Sequence, residues 1–293
     1  MSFSSEVKKE LVLINLKSQK QTISELVALF AFSDVNFTKK SIFSFENKDV
    51  IRRIGILLND FKDKKNFEYL IEETETKSKT NYVVRFKDTH FFEKILNLNT
   101  NLQLNEFTYP DFFRGAFLVC GSILNPNNEY HLEINTISKD LCNLLVKKFK
   151  ECPVLGYCPS TIKRRKNYVI YLKESEKITD FLTFIGAQQS AIKFIQIKML
   201  KEIRNNINRS TNFETANLSK ITISSNKHIK AIQKIKDTIG LDSLPEYLKE
   251  TAILRLNNPY ISLKELANLY KNPISKSGIN HRLKKIVSIS CDL

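Results

Sequence analysis

No apolar run in this sequence approaches the roughly 18 residues that a membrane-spanning helix needs. Met1 to Glu10 is polar and charged, without the pattern of a signal peptide. Both absences argue against a membrane or secreted protein, and a cytoplasmic chain is expected. Cysteine is sparse and odd in number: Cys120, Cys142, Cys152, Cys158 and Cys291. Cys152 and Cys158 are six apart, not in C-x-x-C spacing, and no histidine clusters near them. A disulfide framework and a zinc site are therefore not expected, and reduced, partly buried thiols are. Nothing else suggests a metal or a cofactor. Tryptophan is absent, while Lys, Asn and Ile abound, a composition that an AT-rich genome encodes.

What is abundant is positive charge. The 293 residues carry a formal net charge of +15. Such a balance points to a polyanion, whether DNA, RNA or an anionic membrane surface; the bland alternative is a solvated basic surface. The charge leans to one end. From residue 201 onward there are 16 Lys and Arg against 8 Asp and Glu, about half of the net charge in about a third of the chain. Hydrophobic residues make up 42%, enough for a real core, and the length favours two domains.

Periodicity divides the chain. Helices are expected at Ile23–Phe32 and Lys48–Phe61, with strands at Ile42–Phe45, Phe67–Glu73 and Tyr82–Phe86, then a helix at Thr89–Leu98. The same order recurs: a helix at Tyr109–Val119, a strand at Tyr130–Ile137, a helix at Lys139–Phe149, and a hairpin turning at Lys166 and Asn167. A helix at Ser175–Phe184 closes this second unit. Asp34 corresponds to Gly121, an offset of 87 residues. The fold class is therefore α+β and duplicated, with pseudo-twofold symmetry between repeats at about 20–100 and 108–187. A longer helix is expected over 188–208. Asn208–Asn217, rich in Asn, Ser and Thr, reads as a linker. After it the strand signals stop, and 218–293 reads as an all-helical domain, against 1–207 for the first domain.

The helical domain carries the informative pattern. One helix places Ile229, Ile232, Ile235 and Ile239 on one face and ends at Gly240. Ser243 to Glu246 and Ser262 to Glu265 both have capping-box spacing. Ser275 or Ser277 can cap a last helix that runs to about Ile286. At about 100° per residue, Ile279, Leu283 and Ile286 fall within about 60° of each other and form its buried stripe. Ser277, His281, Lys284 and Lys285 lie opposite, with Lys276 and Asn280 on the flanks. A short helix, a turn and a second helix with a polar, basic outer face make a helix-turn-helix, and such a helix fits the major groove of duplex DNA. Ser275, Lys276, Ser277, Asn280, His281, Lys284 and Lys285 are the candidate contacts. A generic bundle with lysines outside is the alternative.

Three stretches, Gly240 to Glu246, Ser262 to Leu266 and Pro273 to Ile286, resemble the WhiA family of DNA-binding regulators. Ser2 to Glu10, Phe113 to Leu118 with Gly121 and Ser122, Tyr130 to Ile134, and Arg204 to Leu218 agree with it, so the resemblance spans nearly the whole chain. It implies a degenerate LAGLIDADG homing-endonuclease fold before the helix-turn-helix, and a link to cell division, with sporulation in relatives. Active endonucleases of that type carry an acid near the end of each duplicated helix, and the two acids hold divalent metal for phosphodiester hydrolysis. Here those places are taken by Ser33 and Cys120, and a neutral thiol is a poor ligand for hard Mg²⁺. No catalysis is expected.

Homing-type folds lay their sheets in the major groove, so Lys163, Arg164, Arg165 and Lys166 at the hairpin turn are further candidate DNA contacts; an ordinary charged tip is the alternative. Lys39 and Lys40 could play the same part in the first repeat. Arg204 and Arg209 face phosphates or pack the linker. The expected protein is thus a sequence-specific regulator in the cytoplasm, associated with the nucleoid and bound to double-stranded DNA. The transcription machinery or a cell-division protein is a further expected partner. An architectural protein without sequence preference is a second reading. An active nuclease, a third, would need two in-register acids.

Overall fold

The computed structural model describes residues 2–35, 42–62, 67–75, 80–87 and 107–293. The expected helix at Thr89–Leu98, and Lys39 and Lys40, lie outside them. The chain divides into two compact units, Met1–Glu202 and Ile203–Leu293. Among the described residues no helix is long and apolar enough to cross a membrane.

The first unit is built twice from one plan. After α1 (Phe3–Val12), the first copy runs α2 (Gln19–Ala31), β1 (Asp34–Val35), β2 (Ile42–Phe45), α3 (Lys48–Lys62), β3 (Tyr69–Glu75) and β4 (Thr80–Phe86). The second runs α4 (Tyr109–Cys120), β5 (Gly121–Ile123), β6 (Leu132–Thr136), α5 (Lys139–Glu151), β7 (Ser160–Arg164), β8 (Asn167–Leu172) and α6 (Ser175–Phe184). The sheets are ordered β1-β2-β4-β3 and β5-β6-β8-β7, the same topology, with every pairing antiparallel. Asp34 opens β1 as Gly121 opens β5.

Local chemistry sets the boundaries. α2 starts at Gln19, ahead of the expected Ile23, because Ser18 and Gln21 form a capping box. The Gln21 backbone N–H donates to Ser18 Oγ at 3.3 Å and the Ser18 N–H to Gln21 Oε1 at 3.1 Å. β3 begins at Tyr69, not Phe67, whose ring is buried ahead of the strand. The hairpin pairs Arg164 with Asn167, so its turn is Arg165 and Lys166 and not the expected Lys166 and Asn167. Arg165 takes φ 53°, in the left-handed region.

α2 and α4 pack face to face through the centre of the unit. Gly115 lets them approach: a Cβ there would sit 2.5 Å from the Glu25 carbonyl oxygen and 2.8 Å from the Ala28 Cβ. Aromatic rings fill each flank. Phe30 meets Phe43 and Phe86 at 4.9 and 5.4 Å in the first copy, and Phe113 meets Phe149 at 4.5 Å in the second.

The expected linker is not a break in the chain. α7 runs unbroken over Gln188–Thr238, through 208–217. Asn, Ser and Thr cost only about 0.5 kcal/mol each relative to alanine in a helix, and this span holds no glycine or proline to stop it.

In the second unit α7 ends at Thr238, and Gly240, at φ 77°, closes it with its N–H donating to the Ile235 carbonyl. A 3₁₀ turn (Leu241–Ser243) leads to α8 (Glu246–Asn257), α9 (Leu263–Asn268) and α10 (Lys276–Asp292). The expected capping box at Ser243 does not form. The 3₁₀ turn delays the helix, the Ser243 hydroxyl donates to the Gly240 carbonyl at 2.7 Å, and Pro245 stands at the N-cap. The box at Ser262 and Glu265 does form. Ile232 and Ile235 are buried as expected, whereas Ile239, beyond the end of α7, is 45% exposed. A continuous core of Ile232, Ile235, Leu248, Leu266, Ile279, Leu283 and Ile286 holds the helices.

Candidate nucleic-acid interface

α10 is placed by its ends and by one face. Its N-cap is Ser275, whose Oγ accepts the Gly278 N–H at 3.0 Å. Ile279, Leu283 and Ile286 are fully buried. The helix continues to Asp292, beyond the expected end at Ile286, because Ser290 extends the buried face.

That geometry sorts the candidate contacts. Ser275, Lys276 and Ser277 are exposed at the N-terminus, His281 and Lys284 are exposed, and Asn280 is half-buried on the flank. Ser277, His281 and Lys284 point directly away from the buried stripe. Lys285 is exposed beside them, and its ammonium donates to Tyr247 Oη on α8 at 3.0 Å. Beside it Arg282, which periodicity did not single out, lies over the Tyr247 and Tyr270 rings at 5.5 and 5.3 Å. Arg282 and Lys285 therefore anchor α10 to its neighbours. The connection from α9 to α10 occupies residues 269–275, longer than a minimal helix-turn-helix turn.

In the first unit β7 is an edge strand, exposed along its whole length. Lys163 lies over the Tyr168 ring at 5.5 Å, and Arg164 pairs with Glu133 at 3.1 Å. Arg165 and Lys166 are exposed at the tip, without a side-chain partner among the described residues. Of this cluster only those two, and partly Lys163, present a free cationic head. Arg204 and Arg209 are exposed on α7.

Ser33 and Cys120 follow or end the paired helices and line one cavity together. Each side chain turns back on its own helix: Ser33 Oγ donates to the Phe30 carbonyl at 2.8 Å, and Cys120 Sγ to the Ala116 carbonyl at 3.1 Å. Burial pushes the Cys120 thiol up to about 12, with Lys8 drawing it partly down, so it stays neutral. Among the described residues no group of His, Cys, Asp and Glu is arranged to hold a metal ion. The residue beside Cys120 that sequence reading passed over is Lys8. Val7, Leu11 and Val12 are buried around it on α1, so its place on the inner flank was readable from helical spacing.

Comparison with known proteins agrees with this architecture. Residues 207–290 match the model of the WhiA C-terminal HTH domain, and residues 110–204 that of the WhiA LAGLIDADG-like domain. The chain is 37% identical to the protein named "Probable cell division protein WhiA" of Caldicellulosiruptor saccharolyticus, covering 100% of this chain and 96% of the relative. It is 39% identical to the protein of the same name from Ligilactobacillus salivarius, over 99% and 96%. The crystal structure of full-length DUF199/WhiA from Thermatoga maritima is similar with a TM-score of 0.62 at 29% identity, covering 100% of this chain and 99% of that one. That of the N-terminal LAGLIDADG domain of DUF199/WhiA is similar with a TM-score of 0.51 at 27% identity, over 64% and 94%. The duplicated unit, the helix-turn-helix and these relatives together show that the chain belongs to the WhiA family.

Proposed function

We propose that this protein is a non-catalytic, sequence-specific DNA-binding transcription regulator linked to cell division. The single observation that carries the reading is α10: its buried stripe holds it so that Ser277, His281 and Lys284 face outward behind an exposed N-terminal turn. In a major groove Asn280 would read adenine and Lys276 or Lys284 guanine or phosphate, while first-turn N–H groups meet the backbone. The exposed hairpin tip, Arg165 and Lys166, adds phosphate affinity. The link to division rests on the names of the relatives. The absence of catalysis rests on Ser33 and Cys120, since a hydroxyl and a neutral thiol do not replace a pair of carboxylates.

The test mixes the full chain with sheared genomic DNA of its own organism, with Mg²⁺ present, and sequences the bound fragments. A few enriched promoter-proximal loci with uncut ends are expected. Lys284→Ala should lower affinity and reduce the slope of log K against log salt by about 0.9. Even recovery across the genome would favour the architectural reading. Discrete new ends would overturn the assignment of Ser33 and Cys120.

A further inference from the structure

The cavity that Ser33 and Cys120 line has a volume of about 1010 Å³, the size of a small-molecule site. Its walls repeat the duplication: Ser44 from β2 and Asn47 before α3 stand in the first copy, Asn135 from β6 and Ser138 before α5 in the second. Two helix N-termini thus lend it partial positive charge. Lys8, from α1, has no counterpart on this wall among the described residues of the second copy. The Lys8 ammonium lies 6.0 Å from the centre of the Phe117 ring and beside the Cys120 thiol. Among the described residues no carboxylate pairs with it. Two carboxylates, Glu46 and Glu133, also line the wall, and Glu133 is engaged by Arg164 at 3.1 Å and His131 at 3.3 Å. A half-buried ammonium with no counter-ion, in a chamber rich in amide and hydroxyl donors, is an arrangement that an anion completes. Burial lowers the pKa of Lys8, as expected of a cation lacking a partner.

We propose that this cavity binds a phosphate group, with the Lys8 ammonium as its counter-ion. The phosphate belongs either to a free small molecule or to the backbone of duplex DNA. The inference does not depend on the helix-turn-helix, which lies in the other unit.

The test uses the full chain as wild type, Lys8→Met, Lys8→Arg and Asn47→Asp. Asn47→Asp keeps a cap, since Asn47 Oδ1 accepts the Asp49 N–H at 2.8 Å, yet places a carboxylate on the wall. It serves should Lys8→Met fail to fold. Calorimetric titration with inorganic phosphate and with ADP reads the free ligand. Anisotropy of a labelled duplex across a salt series reads DNA. Saturable binding of phosphate or ADP, weakened at least tenfold by Lys8→Met and Asn47→Asp and kept by Lys8→Arg, supports a free ligand. With no such binding, a salt slope shallower by about 0.9 in Lys8→Met supports a DNA phosphate. Titrations and slopes that no variant changes overturn the proposal. Lys284→Ala, run beside them, reports separately on the helix-turn-helix.

Discussion

Glu25 is fully buried on α2 and binds two arginines at once. Arg53 from α3 donates to its carboxylate at 2.7 and 2.9 Å, and Arg114 from α4 at 3.0 Å. Arg114 also donates to Asp111 at 2.6 Å and to the Ile185 carbonyl, so two acids and two arginines form a closed, neutral network across both repeats. Removing one member leaves uncompensated charge in a dry interior. Glu25→Ala should therefore cost roughly 3 to 5 kcal/mol of stability in urea denaturation; a loss below about 1 kcal/mol would mean that water reaches the network. His228 on α7 is the opposite case, buried with no carboxylate paired to it among the described residues. Burial first, and then Arg255 and Lys227, lower its pKa from 6.5 to about 4. The unfolded chain then binds the proton first. The stability due to neutral His228 is complete above about pH 6.5 and is lost as pH falls towards about 4. Melting followed between those values should show the loss, and His228→Gln should flatten it relative to wild type. Neither network was legible in sequence, because Glu25, Arg53 and Arg114 are far apart in the chain and a lone histidine carries no spacing signal.

At the scale of elements, helix positions follow from periodicity wherever one face is buried. The buried faces of α2, α4 and α10 show this, and so does the Ser262 capping box. The long α7 does not fit that pattern. Every residue from 202 to 220 is exposed, so only local hydrogen bonds support the middle of the helix. Amides of 203–220 should exchange with solvent far faster than those of 226–238, where Ala231, Ile232 and Ile235 are buried. Equal protection along α7 would show that the middle is covered in solution. Sequence reading placed a linker where the structure has helix because Asn, Ser and Thr mark both loops and solvated helix surface. Their preference is too small to break a helix without glycine or proline. The hydrogen bond of Lys285 to Tyr247 has a similar origin. Angle alone put Lys285 opposite the stripe, whereas the neighbouring α8 offered a phenol within reach.

At the scale of the whole molecule, two separate hydrophobic cores predict two separate stabilities. One spans residues 3–194 and the other 232–286. Urea unfolding should be biphasic, with Glu25→Ala moving one transition and Leu283→Ala the other by about 2 to 5 kcal/mol. A single transition moved by both variants would mean that the units unfold together. The sequence by itself determined the duplication, the helical second unit, the buried stripe of α10 and the lack of acids at Ser33 and Cys120, because each is written in local spacing or residue identity. Tertiary structure alone decided which cations stay free. Arg164, Arg282 and Lys285 are drawn to partners distant in sequence, Lys8 is left without one beside Cys120, and Glu25 joins arginines from both repeats. The reason is physical: pairing and burial depend on where the chain brings side chains together, and composition fixes only how many charges there are to place.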